Sequence, residues 1–295
     1  MILVTGVSGA LGGLVLAGLS AIDGLEVVPG TRSGDGEAAR RIDFDDPATL
    51  ATGFQGADVL VFVSAGYAED DVVLARHGAV VEAASAAGVR HVIYTSLAGS
   101  GDLMSIALPH RWTEARLAAA PFDVTVLRNG LYAELLAGFA AMAAEQAAAT
   151  GVFTASLGTG RVSAVARQDL ADAAVRVAAE TWRDLSAGGR SRHAGKTYDL
   201  EGVTALGGQD LADAITGVSG HKVEYRPASL ADTREALTGI GLEPYQVTHT
   251  LSLLSNIGAG VLEAHGTDLT ALLPGEPRSV HDLITETLLS LKHSA

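Results

Sequence analysis

The chain contains no cysteine in its 295 residues. That absence excludes disulfides, a cysteine nucleophile and thiolate metal sites. It also fits a reducing cytoplasm, where we expect the protein to be located. The histidines show no metal-ligand spacing such as His-x-x-x-His. We therefore predict no metal site.

Basic residues are scarce, because 20 lysines and arginines stand against 34 acidic residues and give a formal net charge of −14. A nucleic-acid-binding protein normally carries a basic face, and an acidic surface is repelled by anionic membranes. We therefore expect neither nucleic acid nor a membrane as a partner. The chain opens without a basic leader, so we expect no signal peptide. The Ala-rich segment 135–149 is typical of a helix in a globular protein.

Apolar segments of strand length alternate with helical segments in the first half of the chain. Helices are predicted near 10–20, 47–53, 70–87, 109–119 and 133–148. Strands are predicted at Ile2–Thr5, Glu26–Val28, Arg41–Asp43, Val59–Val63, His91–Thr95 and Val124–Leu127. Continuous apolar strands between helices indicate a parallel sheet that is covered on both faces. The predicted fold class is α/β, with a Rossmann-like doubly wound parallel sheet.

The pattern loosens after residue 150. We expect a helix over Asp169–Glu180 with Asp169 as its N-cap, and a mainly helical segment over 229–295. Shorter elements are predicted at Lys196–Leu200 and Val223–Arg226 (strands) and at Asp210–Val218 (helix). A smaller, mostly helical carboxyl-terminal lobe should therefore pack over the sheet edge. The predicted boundaries are 1–130 plus 161–202 for the Rossmann domain and 131–160 plus 203–295 for the lobe.

Glycines at 6, 9 and 12 follow the first strand and open the first helix. The first permits a tight turn, the second lets the backbone approach a pyrophosphate, and the third lets the helix pack closely on the strand. The amino end of the helix then presents free N–H groups to phosphates. We therefore predict a dinucleotide-binding turn formed by Gly6, Val7, Ser8, Gly9, Ala10, Leu11 and Gly12.

The end of the second predicted strand decides between two cofactors. An NAD site carries an acidic residue there for the ribose 2′-hydroxyl, whereas an NADP site has a nearby arginine. Glu26 stands too early in the strand, and Arg32 follows its end. Arg32 is suited to a 2′-phosphate, although it is also compatible with a solvated loop. The sequence favours NADP(H) and leaves NAD(H) possible.

Further ligand contacts are expected at the carboxyl ends of the other strands, where open α/β sheets bind ligands. Asp43 and Phe44 follow the third strand, at a place where adenine is commonly bound, although an aspartate there is also typical of a turn or cap. The same rule selects Val63, Ser64, Ala65, Thr95 and Ser96.

A tyrosine–lysine pair is missing. Many reductases with this kind of sheet use Tyr-x-x-x-Lys, in which the lysine lowers the pKa of the proton-donating tyrosine. No tyrosine of this chain has a lysine four residues later, and residues 1–195 contain no lysine. Reduction of an ordinary ketone gives an alkoxide that needs an acid. Reduction of a quinone gives a stabilised phenolate, so weak or solvent acid suffices.

Four stretches carry a resemblance to a known family: Ile2–Gly12, Tyr94–Leu97, His110-x-x-Thr113-Glu114, and Leu127-Arg128-Asn129-Gly130-Leu131-Tyr132-x-Glu134. They resemble the NmrA-like atypical short-chain dehydrogenases, and more narrowly the NAD(P)H:quinone oxidoreductase type 2 proteins. The resemblance implies NADPH along the strand ends and a quinone pocket between two lobes. It also implies that Asn129, Gly130, Leu131 and Tyr132 lie near the nicotinamide. The same branch includes proteins that bind the dinucleotide only as redox sensors.

Two side chains are candidates for proton transfer. Tyr132 is able to donate a proton or stack on a flat substrate, or it anchors the following helix. His110 is a candidate acid at a helix start, or a solvated histidine. Glu114 and Arg111 are interpreted as a surface helical pair.

The sequence favours a flavin-independent, NADPH-dependent reductase of a quinone or similar flat, conjugated carbonyl compound. The alternatives are a non-catalytic NADP(H)-sensing protein and a pathway-specific reductase of an aromatic polyketide. The chain is expected to act as a monomer or a homodimer.

Overall fold

Seven parallel strands build the central sheet of the computed structural model, which describes residues 1–36, 38–64, 68–98 and 103–292. The strands are, in chain order, β1 (Ile2–Val4), β2 (Val27–Thr31), β3 (Arg40–Arg41), β4 (Val59–Phe62), β5 (His91–Leu97), β6 (Asp123–Asn129), β7 (Val152–Ala155), β8 (Arg161–Val162), β9 (Lys196–Leu200), β10 (Leu206–Gly207) and β11 (Glu224–Pro227). Across the sheet the order is β3-β2-β1-β4-β5-β6-β9. The first six strands follow the doubly wound order, so the predicted fold class is confirmed.

Helices cover both faces of the sheet. They are α1 (Ala10–Ser20), α2 (Pro47–Gly53), α3 (Asp70–Ala86), α4 (Leu108–Ala118), α5 (Ala133–Thr150), α6 (Arg167–Ser186), α7 (Gly208–Ser219), α8 (Leu230–Gly239), α9 (Pro244–Gly258), α10 (Leu269–Leu272) and α11 (Val280–Lys292), with a 3-10 turn at Ser105–Ala107. Successive strand residues point to opposite faces. Ile2 and Val4 therefore pack with α1 and α6, whereas Leu3 packs with α2 and α3.

The second strand is longer than predicted. It continues through Pro29, which has no N–H to donate to a neighbouring strand. The strand tolerates this proline because β3 pairs with β2 at Gly30 and Thr31, beyond the proline. The extension brings Arg32 directly to the carboxyl edge of the sheet.

Asp169 does not cap α6, contrary to the prediction. The N-cap is Ala166, and Asp169 lies in the first turn with its side chain buried. Its carboxylate accepts hydrogen bonds from the backbone N–H of Arg278, at 2.8 Å, and from the Arg278 guanidinium. A partner more than a hundred residues away in the chain therefore determines the position of this carboxylate.

A separate apolar cluster lies beside the sheet. Helices α5, α7, α9 and α11 supply most of it, together with Phe153 of β7 and Val162 of β8. Two small sheets, β7–β11 and β8–β10, brace this lobe. Of these strands only β11 was predicted. The two-residue strands β8 and β10 are too short to show a pattern. In the part of the chain described here, no helix has the length and hydropathy that a membrane crossing requires.

Candidate functional site

Two adjoining cavities open at the carboxyl edge of the sheet. One, here called the glycine cleft, has a volume of about 560 Å³ and lies over the amino end of α1. The other, called the apolar pocket, has a volume of about 520 Å³ and lies between the sheet edge and the helical lobe. Ser64 and Tyr132 line both cavities, so the two meet at these residues.

The glycine cleft is built on the turn between β1 and α1. Gly6 has a φ of 66°, a conformation that glycine adopts without strain. A Cβ on Gly12 would lie 2.3 Å from the carbonyl oxygen of Gly6, so glycine is required for this close packing. Gly9 is the N-cap, and the Gly13 N–H donates to its carbonyl oxygen at 2.8 Å. The helical amides before Gly13 have no partner within the helix and are therefore available to an anion.

Two arginines line the far end of the glycine cleft. Arg32 lies exposed at the end of β2, and Arg76 projects from α3. The Nε and Nη2 groups of Arg76 each donate to Asp45 at 2.7 Å. These hydrogen bonds lower the pKa of Asp45, and the charges of Arg76 and Arg32 add to the effect. Three arginines and two aspartates line the cleft, namely Arg32, Arg76, Arg167, Asp43 and Asp45, in a chain that is acidic as a whole.

Tyr132 forms the wall between the two cavities. It is the N-cap residue of α5, and the guanidinium carbon of Arg167 lies 4.7 Å from the centroid of its ring. At this distance the cation and the ring attract each other. Burial raises the pKa of Tyr132, and the charge of Arg167 opposes the shift only in part. Tyr132 is therefore a weaker acid than a solvated phenol.

Apolar side chains form most of the apolar pocket. They come from strand ends, α5, α8, α9 and neighbouring loops, and they are Leu97, Ala98, Met104, Ile106, Leu131, Leu135, Phe139, Val162, Leu237, Leu242, Leu253 and Leu262. Polar groups are fewer: Ser64, Thr95, Ser96, His110, Asn129, Ser163, Glu201, His249 and Thr250 also line the pocket. An apolar cavity with a few convergent polar groups is typical of a small-molecule site.

Asn129 brings an unpaired acceptor to the apolar pocket. The residue is 4% exposed, and within the described chain its Oδ1 atom has no hydrogen-bond partner. A buried acceptor without a partner costs free energy. An amide N–H of a ligand at the end of β6 would remove that cost. The arrangement therefore fits a ring that carries a carboxamide, as the nicotinamide does.

A buried hydrogen-bond network fixes the orientation of His110. The hydroxyl group of Tyr94 lies 2.7 Å from Nδ1 of His110 and 3.4 Å from Nδ1 of His77. Thr113 Oγ1 lies 2.8 Å from that nitrogen of His77 and donates to the Pro109 carbonyl oxygen at 2.8 Å. Because Thr113 has one hydroxyl hydrogen, His77 Nδ1 donates to Thr113. We assign Tyr94 as the donor to Nδ1 of His110, and this assignment places the histidine's own hydrogen on Nε2.

His110 is uncharged in this setting. Burial lowers its pKa to about 4, and the charge of Arg111 contributes to the same shift. Burial likewise lowers the pKa of His77 to about 3. At neutral pH His110 therefore offers an N–H hydrogen bond to the apolar pocket rather than an acidic proton.

Glu114 and Arg111 are not the surface pair that the sequence predicted. Their side chains are 13% and 18% exposed, and their atoms lie 2.8 Å apart. Glu114 also accepts hydrogen bonds from Arg128 at 2.7 Å and from the hydroxyl group of Ser96 at 2.5 Å. Burial alone would raise the pKa of Glu114, but the hydrogen bonds and the two arginine charges outweigh it and lower the pKa. This cluster fixes the ends of β5 and β6 behind the pocket.

The predicted site residues divide between the two cavities. Those that line the glycine cleft are Gly6, Ser8, Gly9, Ala10, Leu11, Gly12, Arg32, Asp43, Phe44, Val63, Ser64 and Tyr132. Those that line the apolar pocket are Ser64, Thr95, Ser96, His110, Asn129, Gly130, Leu131 and Tyr132. Val7 instead packs against the core beside α1. Ala65 lies outside the described residues.

The polar residues of the cavities that were not predicted include Arg76, Arg167, Glu201 and His249. Glu201 directly follows a predicted strand, so the same rule that selected Ser64 would have found it. Arg76 and His249 lie within helices, where the sequence alone does not show which face reaches a cavity.

Comparisons with known proteins agree with this geometry. The NAD(P)H-binding family matches residues 6–181. Quinone oxidoreductase 2 from Escherichia coli (strain K12) is 34% identical over 252 residues, which cover 82% of this chain and 82% of that protein. The chain therefore belongs to the NAD(P)H-binding family, and the predicted NmrA-like, quinone-oxidoreductase resemblance is confirmed.

Two solved structures are similar over nearly the whole chain. The NADPH-dependent quinone oxidoreductase from E. coli, complexed with NADPH, gives a TM-score of 0.83 at 29% identity and covers 97% of this chain and 99% of its own. The Citrobacter sp. triphenylmethane reductase, complexed with NADP(H), gives a TM-score of 0.83 at 26% identity with the same coverage of 97% and 99%. The expected class of NAD(P)H-dependent oxidoreductase is thereby confirmed.

Proposed function

We propose that the protein is an NADPH-dependent reductase that transfers hydride directly to a quinone or a similar flat, conjugated carbonyl compound. The observation that carries this proposal is the junction of the two cavities at Ser64 and Tyr132. A polar cleft with a glycine turn and arginines opens there into an apolar pocket. A dinucleotide in the cleft and an acceptor in the pocket would meet without an intervening group.

The residues of the glycine cleft fit NADP(H). The amides at the start of α1 suit the pyrophosphate, and Arg32 and Arg76 suit a 2′-phosphate. Asn129 Oδ1 would accept a hydrogen bond from the carboxamide at the other end of the molecule. When bound, the cofactor supplies the hydride.

The residues of the apolar pocket fit a flat, apolar acceptor. Its aliphatic walls exclude water, and the ring of Tyr132 offers a stacking surface at the junction with the cleft. His110 presents a neutral N–H, which stabilises negative charge as it develops on a carbonyl oxygen of the substrate. The protein thus contributes mainly proximity and an oriented, dry pocket.

The test is oxidation of NADPH, with NADH in parallel, over a panel of benzoquinones and naphthoquinones, followed by the absorbance of the reduced nicotinamide. We expect turnover that prefers NADPH and that is lost when Gly9 is replaced by a bulky residue. The similarity to quinone oxidoreductases supports the choice of quinones as acceptors. Cofactor binding without oxidation of NADPH by any acceptor would instead support a sensing protein.

A further inference from the structure

Glu201 places a carboxyl group in the wall of the apolar pocket. Among the described residues that line this pocket, it supplies the only carboxylate. It directly follows β9, whose last residue Leu200 pairs with Asn129 at the end of β6. A Cβ on Gly130 would lie 3.1 Å from the Cα of Glu201. The backbone of Glu201 therefore lies at the sheet edge, next to Asn129 and Gly130, the residues that fit the nicotinamide.

The surroundings of Glu201 do not stabilise a negative charge. Its backbone N–H donates to Thr267 at 3.1 Å, but within the described chain no cation or hydrogen-bond donor reaches its carboxylate. Asp199, two residues earlier on the same side of the strand, adds a charge of the same sign. Burial, with a contribution from Asp199, raises the pKa of Glu201 to about 7. Near neutral pH the group therefore both holds and releases a proton.

We propose that Glu201 is the catalytic residue that protonates the reduced substrate in the apolar pocket. This inference rests on the proposed function. Hydride addition gives the quinone two electrons and one hydrogen and leaves a hydroquinone monoanion. The O–H bond of the Glu201 carboxyl group then breaks, a new O–H bond forms on the substrate oxygen, and neutral hydroquinone leaves. The Glu201 carboxylate regains its proton from solvent, so each cycle consumes one proton.

The other titratable groups around the pocket are poorer donors. His110 is a neutral imidazole, and burial raises the pKa of Tyr132. Both ring nitrogens of His249, on α9, already have partners, since Nδ1 lies 2.8 Å from the Ser105 hydroxyl and Nε2 lies 3.5 Å from the Asp70 carboxylate. Asp199 acts on Glu201 through its charge. Glu201 is thus the acid of the pocket whose proton is available at neutral pH.

The experiment compares Glu201→Gln with Glu201→Asp and with the control Glu263→Gln, which makes the same chemical change at an exposed residue next to the pocket residue Leu262. The acid must be protonated to act, so we expect wild-type kcat for a quinone to fall as the pH rises through about 7. In Glu201→Gln we expect kcat to drop about tenfold to a hundredfold and to lose this pH dependence, with NADPH binding unchanged. Glu201→Asp should retain the pH dependence at a reduced rate, and Glu263→Gln should match the wild type.

Two outcomes would overturn the inference while leaving the proposed function intact. In the first, Glu201→Gln turns over quinone at the wild-type rate and keeps the wild-type pH profile. In the second, its kcat is lower than that of the wild type by the same factor at every pH. Absence of turnover in the wild type with every quinone would instead contradict the proposed function. A readout independent of activity is the carboxyl carbon resonance of Glu201 in NMR, assigned by its absence in Glu201→Gln. Its titration should be centred near pH 7, and a midpoint at the ordinary glutamate value would also overturn the inference.

Discussion

The hydroxyl oxygen of Tyr94 lies 2.7 Å from Nδ1 of His110, and with Tyr94 as the donor this contact places the histidine's hydrogen on Nε2. Tyr94 is fully buried, so no water competes for the bond. With Nδ1 accepting from Tyr94, Nε2–H is the polar group that remains for the apolar pocket. Tyr94, which does not itself line the pocket, thus determines whether His110 offers a hydrogen-bond donor or an acceptor to the pocket.

Replacing Tyr94 by phenylalanine should therefore weaken catalysis without touching either cavity directly. Without the phenol donor, His110 is free to adopt the other tautomer, which presents an acceptor to the substrate oxygen. We expect kcat to fall about tenfold, a loss of about 1.4 kcal/mol in transition-state stabilisation. The ¹⁵N shifts of His110 should move toward a mixture of tautomers. Tyr225→Phe removes a partly buried hydroxyl that donates to the Ala155 carbonyl oxygen, far from His110 in the chain; it is the control and should leave these shifts unchanged.

Two substitutions of His110 itself test whether its Nε2–H group contacts the substrate. The side-chain amide of glutamine places an N–H close to the position of Nε2, whereas asparagine reaches only about as far as Nδ1. We therefore expect His110→Gln to keep more of the quinone reductase activity than His110→Asn, by about tenfold in kcat/KM. Equal activities would show that the Nε2–H group does not contact the substrate.

Gly12 is expected to tolerate no side chain. A Cβ there would lie 2.3 Å from the carbonyl oxygen of Gly6, and backbone cannot move aside as a flexible side chain does. Gly12→Ala should abolish NADPH binding and lower the free energy of unfolding by about 1–3 kcal/mol. Gly217 lies exposed in α7 with no atom within 4 Å of a built Cβ. Gly217→Ala should leave binding unchanged and raise stability by about 0.5–1 kcal/mol, as measured by urea unfolding.

Arg32 is the residue expected to distinguish NADPH from NADH. Loss of a charge-assisted hydrogen bond to the 2′-phosphate costs about 1.5–3 kcal/mol. Arg32→Ala should therefore weaken NADPH binding at least about tenfold and change NADH binding little, as measured by cofactor fluorescence. Arg234→Ala removes an exposed arginine of α8 and controls for the change in net charge. Equal weakening of both cofactors would place Arg32 away from the 2′-phosphate.

The elements that could be predicted from sequence are those whose signal is local. Strands such as Val59–Phe62 are buried on both faces, so their continuous apolar runs stand out. The turn at Gly6 requires a positive φ and the close packing at Gly12 requires the absence of a Cβ, and both requirements are visible as glycines. The rule that ligands bind at carboxyl ends of strands then located the side of each cavity that the sheet edge forms.

The features that could not be predicted depend on partners that are distant in sequence. Glu114 looked like half of a solvated helical pair, because Arg111 stands three residues before it. It is buried because Arg128 of β6 and Ser96 of β5 close around it. Arg76 reaches the glycine cleft because of how α3 is rotated on the sheet. The apolar positions of that helix show which side faces the sheet, but they do not show whether Arg76, at the edge of that side, faces the cleft or the solvent.

The cluster around Glu114 leads to a prediction about stability and pH. Its pKa is lowered in the folded protein from the ordinary 4.5, so its contribution is fully present above about pH 4.5 and is lost as the pH falls through the folded-state value. Glu114→Gln leaves two partly buried arginines without their carboxylate and should cost about 3 kcal/mol at pH 7. The difference in Tm between wild type and variant should shrink steadily below pH 4.5. Glu82→Gln, at an exposed glutamate of α3, should show no such convergence. A wild-type advantage that stays constant down to pH 3 would mean that Glu114 stabilises the fold by packing rather than by charge.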